Sequence, residues 1–252
     1  MGADFSTSLM LSLVHGPLSP VPRRTEEAEA YDDLGAPLSV LRDEQELATK
    51  LFGWPDEKEL SPSNCCVAKF GQEPHMQLSA GEAAVDFSLG TFRLRDALAS
   101  GLPVMVTGGA RSCPHCVAFA ADMEAFAKEY AGKCVFVCVA VMQPHPAAPD
   151  ICFETGEVWA MPGSLSAGVG QPATVEARAA ERDFLAAKLP SWTCVADDLA
   201  PDRVNPFWST YGPAPRAGYL IDVSGRIAHS QLWWEPERSR RALDTLLAAR
   251  AA

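Results

Sequence analysis

Two cysteines flank a proline and a histidine in GGARSCPHCVAF, Gly108 to Phe119, and there the residue types alone could do chemistry. Thiols at that spacing can exchange electrons, supply half of a zinc site, or pack as small core side chains. A thiol becomes a useful nucleophile only as the thiolate, and a helix N-terminus favours that negative charge. An apolar run ending in glycines, followed at once by a helical pattern, puts Cys113 at such a terminus. The CxxC spacing sets Cys116 one turn deeper, close enough to attack a mixed disulfide formed at Cys113. Cys113 is therefore the candidate nucleophile and Cys116 the resolving thiol. His115, if protonated, further stabilises the thiolate and makes the disulfide more oxidising. Pro114 fixes the turn and removes an N–H that has no helical partner there. Zinc needs two more ligands at recognisable spacing, and the chain has neither a second CxxC nor an H-x-x-x-H. Redox chemistry is favoured, and no metal is expected.

The flanking elements must hold this tetrapeptide. LPVMVTGG is a continuous apolar run of strand length, the mark of a strand buried on both faces. The helix after it carries Val117, Ala120, Met123, Ala127 and Tyr130 at helical spacing and should stop at Gly132. CVFVCVAVM, Cys134 to Met142, is a second such strand, completing a parallel βαβ crossover. A long irregular segment leads to a helix at about Ala173 to Lys188, and PSWTCVADD supplies a third strand. After a turn-rich piece, AGYLIDVSG and RIAHSQLWW read as a hairpin joined at Ser224-Gly225, and EPERSRRALDTLLAARAA closes the chain as a helix with Leu243, Leu246 and Leu247 inward. Upstream, AVDFSL can start a strand, and TFRLRDALAS reads as a strand or turn leading into a short helix. Parallel strands, a terminal antiparallel hairpin and a closing helix give the order of the thioredoxin fold: an α/β domain with a central mixed sheet and flanking helices. The domain should run over 83–252. Residues 1–82 read as a partly irregular extension, rich in proline and acid, with one helix around Leu38 to Phe52.

Composition narrows the functional classes. The 252-residue chain is 48% hydrophobic and 21% charged, an ordinary globular balance. Its formal charge of -11, from 21 basic and 32 acidic residues, gives no footprint for nucleic acid. No apolar run approaches the roughly 20 residues that span a bilayer, so no transmembrane segment is expected, and the cytoplasm or another soluble compartment is. Met1-Gly2 with Ser6 matches the short pattern for N-myristoylation at Gly2, which chance also produces. Of the eight cysteines, Cys134, Cys138 and Cys194 fall in strands and read as core side chains. Cys65, Cys66 and Cys152 fall in loops where a regulatory disulfide is open but unselected. His15, His75 and His229 read as surface residues, and Trp159, Trp192, Trp233 and Trp234 as core or edge packing rather than a pocket lining.

The segment LPVMVTGGARSCPHC resembles the active-site stretch of the iodothyronine deiodinases, thioredoxin-fold reductases in which selenocysteine and proline follow a strand and turn. On that likeness Cys113 takes the selenocysteine position and Pro114 follows as in the family. MQPH places His145 where the family carries a histidine after its second strand, ARAAERDFLAAK is similar to the next helix, and CVADD matches the next strand with Asp197. YGPAPRAGYLID puts Pro215 where thioredoxin-like proteins carry a cis-proline facing the site. The likeness runs from roughly Val85 to Leu247. The departures are cysteine for selenocysteine, Met142 and Gln143 for an acidic pair, no second histidine in GQPATVEAR, no N-terminal anchor, and Cys116 as an added resolving thiol. The scaffold carries over better than the thyroid-hormone substrate. His145 is either a proton donor facing Cys113 or a solvated loop histidine.

Three functions stay open. One is a deiodinase-like oxidoreductase that reduces a halogenated or other small molecule through a covalent step at Cys113, restored by Cys116 or an external thiol. A second is a general protein thiol–disulfide oxidoreductase using the same pair. The third is a non-enzymatic module that docks through its acidic N-terminal arm. No bound cofactor is expected, an external thiol reductant is, and homodimer formation is left open.

Overall fold

The computed structural model describes residues 78–113, 116–117, 119–147, 150, 169–199, 206–212, 217–231 and 234–251. Gly2, the helix expected around Leu38 to Phe52, and Cys65, Cys66 and Cys152 lie outside them, as do Pro114, His115, Pro215, His15, His75, Trp159 and Trp233.

The apolar run before the cysteines forms β3 (Val104–Gly109), buried at every position. It follows a small hairpin of β1 (Ser88–Leu89) and β2 (Phe92–Arg93) and the short helix α1 (Leu94–Ala99). The single strand expected in AVDFSL is a two-residue strand, because Gly90, at φ 57°, turns the chain back onto itself. After β3 come α2 (Ala120–Glu129) and β4 (Val135–Ala140), with Gly132 at φ 74° ending the helical stretch where the sequence places a stop. Helix α3 (Val175–Lys188) starts at Thr174, whose side chain accepts the Ala177 N–H at 3.1 Å. It leads to β5 (Thr193–Ala196), then α4 (Pro206–Tyr211), the hairpin β6 (Gly218–Ile221) and β7 (Ile227–Gln231), and α5 (Pro236–Ala251).

Helix α4 lies in the stretch that reads as turn-rich. Its cap comes from upstream of the intervening loop: Asp197, just past β5, accepts the N–H groups of Phe207 at 3.0 Å and Trp208 at 2.9 Å. Local sequence carries no sign of such a partner.

The five strands order as β5-β4-β3-β6-β7. β3 pairs parallel with β4, and β4 with β5, whereas β6 runs antiparallel to β3 and to β7. This is the thioredoxin-like arrangement, with the expected mixed sheet and closing helix. Right-handed crossovers from β3 through β4 to β5 put α2 and α3 on one face. There Met105, Phe136 and Cys138 meet Met123 and Phe126 of α2, Leu185 of α3 and Leu243 of α5. Trp192 and Trp234 fill the same layer, with Trp192 5.2 Å from Phe136 and Trp234 5.5 Å from Phe126 between ring centres. Both are core packing, as the sequence suggests.

The opposite face carries Val106, Val137 and Tyr219. Tyr219 lies edge-on to Tyr211 of α4 at 5.2 Å, and Phe87, before β1, packs on Tyr211 at 5.5 Å. Each fully buried Val or Phe contributes roughly 1.5–3 kcal/mol, so β3, covered on both faces, is the firmest support available to whatever follows it. Residues ahead of the first hairpin are pinned too: Gly81 N–H donates to Ile227 O at 2.7 Å and Ala84 N–H to Gly225 O at 2.8 Å. His229, expected at the surface, is half-buried on β7 opposite Leu220, and burial lowers its pKa.

Candidate redox site

Where β3 ends, the chain makes a tight turn: the Cys113 N–H donates to Ala110 O at 3.2 Å. The Cys113 carbonyl then accepts the Val117 N–H at 3.3 Å, the i to i+4 bond of a helix. Cys113 thus stands at the N-terminal edge of a helical turn, and Cys116 is a helical residue within it. This is the strand, turn and helix placement the spacing implies. The accessibility is another matter. Cys113 is 0% exposed and Cys116 4%, so the sulfur expected at the open mouth of a helix is covered.

The C-terminal ends of β3 and β4 lie side by side, Gly109 opposite Ala140, and the Val141 N–H continues the ladder to Gly109 O. The chain leaving β4 then folds over the turn before Cys113. The Ser112 N–H donates to Gln143 Oε1 at 2.8 Å, and the His145 N–H donates to Ser112 Oγ at 3.1 Å. His145 is 1% exposed, which removes the solvated-loop alternative and sets this histidine against the residue preceding Cys113. Gln143 is itself held from two sides. It exchanges hydrogen bonds with Gln171, its N–H to Gln171 Oε1 at 3.0 Å and Gln171 Nε2 to its carbonyl at 2.6 Å, while its own Nε2 donates to Glu181 Oε2 at 3.1 Å.

Glu181 projects from the inner face of α3, in the row Arg178, Glu181, Leu185 that a helical period aligns. Burial pushes its carboxyl up, opposed by Arg111, whose Nη1 is 4.0 Å from Oε1, by Arg178 and by the Gln143 amide. Arg178 is 2% exposed, its pKa lowered by burial to about 10, and its Nη1 donates to Ala140 O at 3.4 Å. Asp197, which the deiodinase likeness singles out, is pushed up by burial too, against the backbone N–H groups of Trp208, Phe207 and Asp198. Its position makes it a cap for α4.

Sequence reasoning passed over Ser112, Gln143 and Glu181. Gln143 stood out only as a departure from an acidic pair, yet it is the link between the turn at Cys113 and α3. The available signal was the charged pair Arg178 and Glu181 on the helix face that carries Leu185. Of the expected site residues, the fold brings Cys113, Cys116 and His145 to one end of the sheet, and Pro114, His115 and Pro215 are among those not described.

No protein-family model and no curated protein matches this sequence. Solved structures do resemble it. One is a hypothetical protein from Sinorhizobium meliloti, 19% identical, covering 68% of this chain and 86% of that one at a TM-score of 0.46. Another is the exposed lipoprotein thioredoxin Etrx1 of Streptococcus pneumoniae, 21% identical, covering 64% and 100% at 0.41. A third is a thiol:disulfide interchange protein of the thioredoxin family from Chlorobium tepidum, 14% identical, covering 69% and 99% at 0.40. Among the described residues no helix is long and apolar enough to cross a membrane.

Proposed function

We propose that this chain is a thiol–disulfide oxidoreductase in which Cys113 attacks and Cys116 resolves. The observation that carries this is the hydrogen bond from Val117 N–H to the Cys113 carbonyl. It supports a reading in which Cys113 starts a helical turn and Cys116 lies inside it, near the carboxyl ends of parallel strands, where open α/β sheets bind ligands. The Cys113 thiolate attacks a substrate disulfide, one substrate thiolate leaves, and a mixed disulfide forms. Cys116 then attacks the Cys113 sulfur, the second substrate thiol leaves, and an external thiol reductant returns the Cys113–Cys116 disulfide to the dithiol. The turnover requires the covered Cys113 sulfur to be opened to its substrate.

That burial supports a second reading, in which the substrate is a small molecule of the kind the deiodinase likeness implies. A cysteine 0% exposed, with a histidine 1% exposed whose backbone N–H bonds the neighbouring Ser112, is more readily reached by a small halogenated aromatic than by another folded protein. Here Cys113 would take the halogen, His145 would supply the proton to the ring carbon, and Cys116 would displace halide to form the disulfide.

One experiment separates the two. Cys116→Ser should accumulate the mixed disulfide at Cys113, and mass spectrometry identifies what is bound. A captured protein supports the first reading, whereas halide release from an iodinated phenol without protein capture supports the second. Cys113→Ser should bring either activity to background. If Cys113 is alkylated no faster than a free cysteine peptide at neutral pH and neither activity depends on it, both readings fail.

A further inference from the structure

Cys138 and Cys194 are a second pair of sulfurs that the fold brings together. β4 and β5 run parallel with Cys138 directly opposite Cys194. Neighbouring strands lie about 4.7–4.9 Å apart, within the roughly 4.4–6.8 Å Cα separation that a disulfide spans. Their side chains share a face of the sheet, and neither is in a disulfide.

The two surroundings differ. Cys138 is 1% exposed, and its Sγ lies 2.8 Å from where a Cβ would stand at Gly109. Cys194 is half-buried on β5, at the sheet edge, where the charge of Glu124 on α2 raises its pKa and that of Arg182 on α3 lowers it. The hydrogen bond from Cys138 lowers the pKa of Cys194, while that bond and burial push Cys138 well above its ordinary value. A thiol with solvent access, held by an inaccessible thiol beside it, is an attacking and resolving arrangement in its own right.

We propose that Cys138 and Cys194 form a second dithiol site, in addition to Cys113 and Cys116, that is oxidised by small disulfides entering at the β5 edge. The Cys194 thiolate attacks one sulfur of the small disulfide, whose S–S bond breaks. One small thiolate leaves and takes a proton from water. Cys138 gives up its proton as it attacks the Cys194 sulfur, and the second small thiol leaves with that proton. The protein dithiol loses two electrons and two hydrogens, and the small disulfide becomes two thiols. Partial exposure of Cys194 limits the reagent to a small one, and full burial of Cys138 confines the second step to the sheet.

The test uses the full-length chain carrying Cys113→Ser and Cys116→Ser, with the wild-type chain in parallel, incubated with oxidised glutathione and mapped by peptide mass spectrometry. The expected product is a Cys138–Cys194 linked peptide, with reduced glutathione released. Adding Cys138→Ala should stop the reaction at a glutathione adduct on Cys194. Before oxidation, iodoacetamide should label Cys194 at least about tenfold faster than Cys134, whose thiol burial pushes up to about 12. Should Cys138→Ala fail to fold, the linked peptide in the other two proteins decides. A Cys194 that neither links nor takes an adduct while other cysteines of the chain react would overturn the proposal, as would linkage of Cys194 to a cysteine other than Cys138.

Discussion

Glu181 is 9% exposed and joined through the Gln143 amide to the backbone N–H of Ser112, next to Cys113. Burial is the largest influence on its carboxyl and raises its pKa above 4.5. The folded chain therefore holds that proton more tightly than the unfolded chain, and the sign of the linkage follows. The stability contributed by neutral Glu181 is complete below 4.5 and is lost as pH rises through the raised folded value. Glu181→Gln keeps an acceptor for the Gln143 amide and removes the titration, so urea unfolding across this window should give a flatter stability profile than wild type. Asp197, also raised, gives a loss of the same sign starting from 3.8, which the variant should keep. An unchanged slope would show that Glu181 is ionised without cost. His145 belongs to this scale as well: a histidine in a proline-rich run reads from sequence as a proton donor or as a solvated loop residue, and its 1% exposure excludes the solvated one.

Among the elements, β3 and α3 approach each other closely at Gly109. A Cβ added at Gly109 would stand 2.8 Å from Cys138 Sγ and 2.9 Å from Leu185 Cδ1. The absence of a side chain is what lets α3 close on the strand end that precedes the candidate site. Overpacking of a filled core costs about 1–3 kcal/mol, so Gly109→Ala should lower the denaturation midpoint by a corresponding amount and disturb Cys113 alkylation at the same time. A neutral Gly109→Ala would mean that Leu185 and Cys138 can both move aside. The glycines at the end of LPVMVTGG are visible in the sequence as a turn signal, but the reason for Gly109 is contact with residues far along the chain. Cys194 makes the same point, since alone in its strand it looks like core filler and only the register with β4 sets it against Cys138.

For the whole molecule, stability rests on two aromatic layers, one on each side of a five-stranded sheet. Trp192 is 5% exposed, packs on Phe136 and donates its Nε1–H to Met123 O at 3.0 Å, so it ties β4 to α2. Trp192→Ala should cost about 3–5 kcal/mol, read as a drop in urea midpoint with an unchanged m-value; a change in m would point to a loosened native state. By itself the sequence determined the order of the sheet strands and of the helices other than α4, the crossover that places Cys113 at a strand-to-helix turn, and the closing hairpin and helix, because apolar runs, helical spacing and turn glycines are local records of which surfaces are covered. Only the tertiary structure decided that Cys113 is covered, that Gln143 joins the turn before it to Glu181, that Asp197 caps α4 and that Cys138 meets Cys194. Each of these depends on the register of strands and on partners distant in the chain, and a period of two or 3.6 residues carries no information about which distant residue stands opposite.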